Sequence, residues 1–196
     1  MSLSPNIDKA IKFASRAHKD HVRKVGAVPY ISHPVAVAMS LLPYDVSHET
    51  IIAALLHDTV EDTGVSLREI EMEFGKTVAD YVGDLSEPKG YWEYRKLTYI
   101  DKMRGAMFPV KQISTADKLH NLTSIKNQID QIGDSAWGVF SRPKPMQAWY
   151  YRTVFSALVE NVENVESPKT FGLLTDLHHL IEIVFENCPS QAPEDF

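Results

Sequence analysis

One cysteine in 196 residues, Cys188, leaves no partner for an internal disulfide, and such scarcity suits a reducing compartment. No apolar run approaches the about 20 residues that cross a bilayer. The opening residues, Met1 to Asn6, lack a basic segment leading into an apolar one. Neither a membrane span nor a signal peptide is therefore expected, and the expected location is cytoplasmic. An excess of positive charge is also missing: 20 Lys and Arg stand against 26 Asp and Glu, a net charge of −6. That balance argues against a protein that grips nucleic acid or an anionic membrane through its overall field. It leaves room for a small basic pocket around an anionic ligand. Repeats, low-complexity segments and composition shifts are absent as well. What remains is a chain of ordinary globular composition, and its length suits one domain over residues 1–196.

Almost every periodic stretch reads as helix. Pro5 suits the first turn of a segment carrying Ile7, Ala10, Ile11, Ala14 and Ala17 at helical spacing. Residues 18–29 are polar and hold Gly26 and Pro29, which predicts a loop. A short helix is expected over Val35 to Leu42, begun by Pro34. The run Ile51 to Leu56 favours buried helix over strand by its Ala and Leu content. Ser66 and Glu69 form a capping-box pattern, with Gly75 placed to end that helix. Further helices are expected over Tyr91–Met107, Val110–Ile129, Met146 to about Val165 and Pro168–Asn187. Gly133–Pro145 is expected as a loop, and residues 189–196 as a frayed tail. The expected fold class is all-α, a single helical bundle.

Chemistry concentrates at His57-Asp58-Thr59-Val60-Glu61-Asp62, directly after the apolar run. On a continuous helix His57 and Glu61 share a face, as do Asp58 and Asp62. Three carboxylates beside a buried run repel one another and suit the C-terminus of a helix poorly, because its dipole favours cations. A divalent metal removes the penalty; the competing reading is a helix emerging into solvent. His33, ahead of Pro34, and Asp117, on the helix Val110–Ile129, supply further candidate ligands. Taken singly, each has an ordinary alternative as a capping or solvated group. Taken together, His33, His57, Asp58 and Asp117 form a nitrogen and oxygen donor set without thiolate. Such a set suits Mn, Fe or Zn at a reactive site and not a structural zinc site.

At these residues the chain resembles the HD-domain metal-dependent phosphohydrolases. The strings Arg23-Lys24, Pro29 to Pro34, His57 to Thr63 and Ala116 to Leu122 resemble the hydrolase domain of the RelA/SpoT family, in its stand-alone small alarmone hydrolase form. The resemblance spans roughly residues 5–165. It implies an HD-type bundle that removes the 3′-pyrophosphate from (p)ppGpp or (p)ppApp. One divalent ion, commonly Mn2+, would be held by His33, His57, Asp58 and Asp117. Glu61 and Asp62 match the pair that positions and deprotonates the attacking water, with support of the metal ligands as the alternative role. Arg23 and Lys24 match residues that meet base and phosphate, and Asn121 matches a ribose or phosphate contact. Lys118 either meets phosphate or pairs with an acid of its own helix. Tyr150 either walls the base pocket or belongs to the core. His120, on an apolar stripe, is expected to be structural.

Two departures from the family stand out: Ser114 and Thr123 occupy positions where many members carry Lys and Arg. They leave the substrate open among (p)ppGpp, (p)ppApp and another nucleotide such as NADPH. A silent nucleotide sensor is the reading from another class, and the Glu61-Asp62 pair argues against it. The expected partner is a small nucleotide, with neither nucleic acid nor membrane.

Overall fold

The computed structural model describes residues 4–24, 27–162 and 168–193. Its α-helices run in order α1 Pro5–Ala17, α2 Ser32–Leu41, α3 His48–Leu56, α4 Thr59–Asp62, α5 Leu67–Phe74, α6 Lys76–Leu85, α7 Trp92–Gly105, α8 Phe108–Ile132, α9 Lys144–Val159 and α10 Pro168–Val184. Among the described residues the only β feature is an isolated bridge between Val22 and Pro29, so the all-α expectation is borne out. No described helix is long and apolar enough to cross a membrane.

The arrangement follows from α3. Ser47 caps it by accepting the Thr50 N–H at 3.2 Å. Every residue from Thr50 to Leu56 is buried. A helix apolar on all sides has no face for water, so its neighbours surround it: α1, α2, α6 and α8 all pack against it. The α5–α6 hairpin follows its local signals. Ser66 and Glu69 exchange both capping-box bonds, and Gly75 turns the chain at φ +89°, where a Cβ would be strained. Leu56 is fully buried at the end of α3 and immediately precedes His57. Leu56→Ala is therefore expected to cost about 2–5 kcal/mol. Urea unfolding measures it, and a loss below about 1 kcal/mol would contradict this account of the core.

Several boundaries differ from expectation. α2 begins at Ser32, so His33 lies inside its first turn rather than before it. Pro34 is tolerated there because a first-turn N–H has no intrahelical acceptor. For the same reason Pro109 is tolerated in the first turn of α8. The expected loop over Gly133–Pro145 holds a 3-10 helix at Gly133–Val139 that buries Ala136 and Trp137. α9 ends at Val159, and α10 ends at Val184. The 163–165 part of the helix expected to reach Val165, Gly26 of the expected loop, and residues 194–196 of the tail lie outside the described residues.

Candidate metal centre

The helix expected to carry His57 to Asp62 without interruption breaks at its centre. α3 ends at Leu56, and Asp58, at φ −93° and ψ −6°, turns the chain into the single turn α4. Local bonds explain the break. His57 Nδ1 lies 2.8 Å from the Ala54 carbonyl and Thr59 Oγ1 donates to the Leu56 carbonyl at 2.7 Å, satisfying acceptors that a helix end leaves open. The Asp62 N–H still reaches the Asp58 carbonyl at 2.9 Å, so Asp62 stands one turn above Asp58 as the spacing predicts. The acidic pair belongs to the short α4 and does not form the last turn of α3. The dipole penalty expected from a continuous helix therefore does not apply.

Four side chains from α2, the α3–α4 junction and α8 converge. His33 Nε2 lies 3.4 Å from Asp58 Oδ2 and 3.1 Å from Asp117 Oδ1. His57 Nε2 lies 3.0 Å from Asp58 Oδ2 and 3.7 Å from Asp117 Oδ1. A carbonyl only accepts, so the His57 Nδ1 facing Ala54 carries the proton and a neutral ring turns a lone pair inward at Nε2. That buried Nε2 has no hydrogen-bond partner. One donor atom each from His33, His57 and Asp58 lies within 4.8 Å of the others, a spacing able to hold a metal ion.

The electrostatics agree with that chemistry. Burial alone would raise the Asp58 carboxyl, but the facing His57 and His33 imidazoles hold it well below the usual carboxylate range. Burial opposes the Asp117 carboxylate in the same way, and Lys118 with the two imidazoles holds it low. His57 is buried, yet Asp58 and Asp117 raise it well above the ordinary imidazole value. Two carboxylates thus favour positive charge at the centre of the cluster, which a divalent cation supplies. The donor set fits such an ion.

A surrounding layer holds the four side chains. Tyr30 Oη donates to Asp58 Oδ2 at 2.7 Å. Lys118 Nζ donates to Asp117 Oδ2 at 2.7 Å, and Asn121 Nδ2 to Asp117 Oδ1 at 2.6 Å. Arg23 donates to Asn121 Oδ1 at 2.6 Å, which joins the segment following α1 to α8. His33 Nδ1 lies 2.9 Å from His120 Nδ1. For Lys118 the contact is the acid of its own helix, with its ammonium also 4.6 Å from the Tyr99 ring.

A cavity of about 420 Å³ opens beside the cluster, within the size range of small-molecule sites. Asp58, Glu61, Asp62 and Asp117 line it, and Arg23, Lys24, Arg95, Lys96 and Lys118 supply cationic lining. Glu61 Oε1 accepts from Arg95 at 2.5 Å and Oε2 from the Glu87 N–H at 3.1 Å. Burial and the Glu87 carboxylate outweigh Arg95 and push the Glu61 carboxyl up to about 7. Glu87 in turn pairs with Arg95 at 2.9 Å and Lys96 at 2.6 Å. Asp62 stands exposed at the rim, as does Lys24. The two alternatives for Tyr150 coincide: it is buried, lines the cavity, and its Oη has no hydrogen-bond partner.

Sequence reading missed Tyr30, Glu87, Arg95, Lys96 and the contact made by His120. Only His120 carried a local signal, three residues after Asp117 and hence on its side of α8. Ser114 spends its hydroxyl on Tyr99 Oη at 2.7 Å, and Thr123 bonds the Leu119 carbonyl of its own helix. α7 adds two cations to the cavity, Arg95 and Lys96.

Comparison with known proteins places this geometry among relatives. The model of the HD domain matches residues 10–141. A guanosine-3′,5′-bis(diphosphate) 3′-pyrophosphohydrolase of Aquifex aeolicus is 50% identical over 76 residues, covering 39% of this chain and 11% of that protein. The pyrophosphohydrolase MESH1 of Xenopus tropicalis is 37% identical over 127 residues, covering 60% of this chain and 68% of that one. The chain thus spans about a tenth of the Aquifex protein and about two thirds of the Xenopus one. A solved metazoan ortholog of SpoT shares the fold, with a TM-score of 0.74, 23% identity, and coverage of 94% of this chain and 98% of that one.

Proposed function

The chain belongs to the HD-domain family, and on that premise we propose that it is a metal-dependent 3′-pyrophosphohydrolase of guanosine 3′,5′-bis(diphosphate) and its close analogues. One observation carries the reading: two imidazole Nε2 atoms and two carboxylates converge within 3.0–3.7 Å beside a cavity whose lining includes five Lys and Arg side chains together with aromatic rings. The relatives named for this reaction support the choice of substrate.

His33, His57, Asp58 and Asp117 would hold the ion, and a nitrogen and oxygen set without sulfur suits Mn2+. When bound, the ion supplies Lewis-acid stabilisation of phosphoryl charge and acidifies water. The protein's own groups do the rest. Glu61 takes a proton from the attacking water. Both its oxygens already accept one bond, but a carboxylate offers about four lone-pair sites, so acceptor capacity remains. The water oxygen bonds to the phosphorus attached at the ribose 3′ oxygen, and the bond from that phosphorus to the 3′ oxygen breaks. The proton taken by Glu61 passes by way of Asp62, at the rim, to the 3′ oxygen. The products are pyrophosphate and GDP. Arg23, Lys24, Arg95 and Lys96 offset the phosphate charge, Lys118 holds Asp117, and Asn121 and Tyr150 offer polar contacts to the nucleoside.

The test is incubation of Mn2+-loaded protein with ppGpp, pppGpp, ppApp and NADPH, followed by product identification. Pyrophosphate from ppGpp is the expected result; orthophosphate from NADPH alone, or no turnover of any, would overturn the reading. The pH profile gives a second check. A base acts only when deprotonated, and burial with Glu87 pushes Glu61 up to about 7. Thus kcat should rise with pH to a plateau, with its midpoint near pH 7 rather than the ordinary 4.5. A profile already flat at pH 5.5 would remove Glu61 from the role of base.

A further inference from the structure

We propose that His120 is a positioning residue that selects the metal-binding tautomer of His33. The proposal rests on the ligand set above and concerns a residue outside it. The two Nδ1 atoms lie 2.9 Å apart with ring centroids at 4.9 Å and planes tilted by 44°. At that distance one hydrogen sits between two ring nitrogens, and it belongs to one ring or the other. If it belongs to His33, a neutral His33 has its lone pair at Nε2, which faces Asp58 and Asp117. His120 then accepts at Nδ1 and carries its own proton on Nε2. If the hydrogen belongs to His120, the neutral His33 is protonated at Nε2 and cannot ligate.

His57 has no such ambiguity, because its Nδ1 faces the Ala54 carbonyl, which can only accept. A metal-binding histidine needs an outer acceptor of this kind to fix its tautomer. For His33 that acceptor is a second imidazole supplied by α8. His120 is half-buried rather than part of the closed core, so packing alone does not account for its placement. Its position follows from two features: α2 packs on α8, and residue 120 shares the side of α8 that presents Asp117.

The experiment is calorimetric titration of the metal-free full chain with Mn2+ alone. The variants are His120→Phe, His120→Asn and His33→Ala, with thermal unfolding followed in parallel. His120→Phe keeps a ring but removes the acceptor, and its Kd for Mn2+ should rise about 10- to 100-fold, the range typical of lost outer partners. His120→Asn places an acceptor oxygen near the former Nδ1 and should restore affinity to within about threefold of the parent. Unchanged affinity in a folded His120→Phe variant would overturn the proposal. So would an Asn variant as weak as Phe. If His33→Ala binds Mn2+ like the parent, the ligand set itself fails, whatever His120 does.

Discussion

Asp117→Ala should lose Mn2+ binding and hydrolysis together, by more than the about 10- to 100-fold expected for an outer partner. Asp117 is where the site's connections meet. Its Oδ1 lies 3.1 Å from His33 Nε2 and 3.7 Å from His57 Nε2, and the same oxygen accepts from Asn121. Its Oδ2 holds Lys118, whose side chain is 10% exposed. Removing the carboxylate leaves that ammonium buried without its partner, near the Tyr99 and Tyr150 rings. Breaking one side of a buried pair typically costs about 3–5 kcal/mol, so a stability loss of that order is expected as well. Two effects of one substitution need separating. Asp117→Ala combined with Lys118→Met removes the stranded charge and should recover most of the stability without recovering Mn2+. Calorimetric titration and urea unfolding read the two effects separately. An Asp117→Ala protein that binds Mn2+ as tightly as the parent would exclude Asp117 as a ligand.

Glu61→Gln should separate what Asp117→Ala joins: Mn2+ affinity stays within about threefold of the parent while kcat falls about 10²- to 10⁴-fold, the usual contribution of a positioned base. The Glu61 carboxylate is tied to Arg95 and to the Glu87 N–H, away from the His33, His57 and Asp58 donors. Glutamine keeps the length and one acceptor oxygen, but its amide nitrogen must face a donor where a carboxylate oxygen stood. One of the two bonds is therefore lost with the basicity. The limb of the pH profile near 7 should disappear with it. Steady-state kinetics between pH 5 and 9, with Mn2+ affinity measured on the same preparation, decides the matter. A Glu61→Gln enzyme with kcat within about threefold of the parent would pass the role of base to Asp62 at the exposed rim.

The part of this protein legible in sequence is the part written in short intervals. Helical periodicity, the Ser66 to Glu69 capping box and Gly75 were sufficient for an all-α fold, because those signals act over one or two turns. His33, His57, Asp58 and Asp117 were legible because each sits beside a local marker: Pro34, the apolar run ending at Leu56, or the small residues around Ala116. Other features were decided by tertiary structure alone. The break at His57 and Asp58 depends on where α3 ends in the core and which carbonyls its last turn leaves to be capped. Glu61 meets Arg95 from 34 residues away, and His33 meets His120 from 87 residues away. No local pattern encodes such pairs. They exist because a helix as fully buried as α3 draws its neighbours around it, α2 and α8 among them. That packing sets which nitrogen of each imidazole faces the carboxylates and which faces its supporting partner. The residue types are local information, whereas their orientation is a consequence of burial.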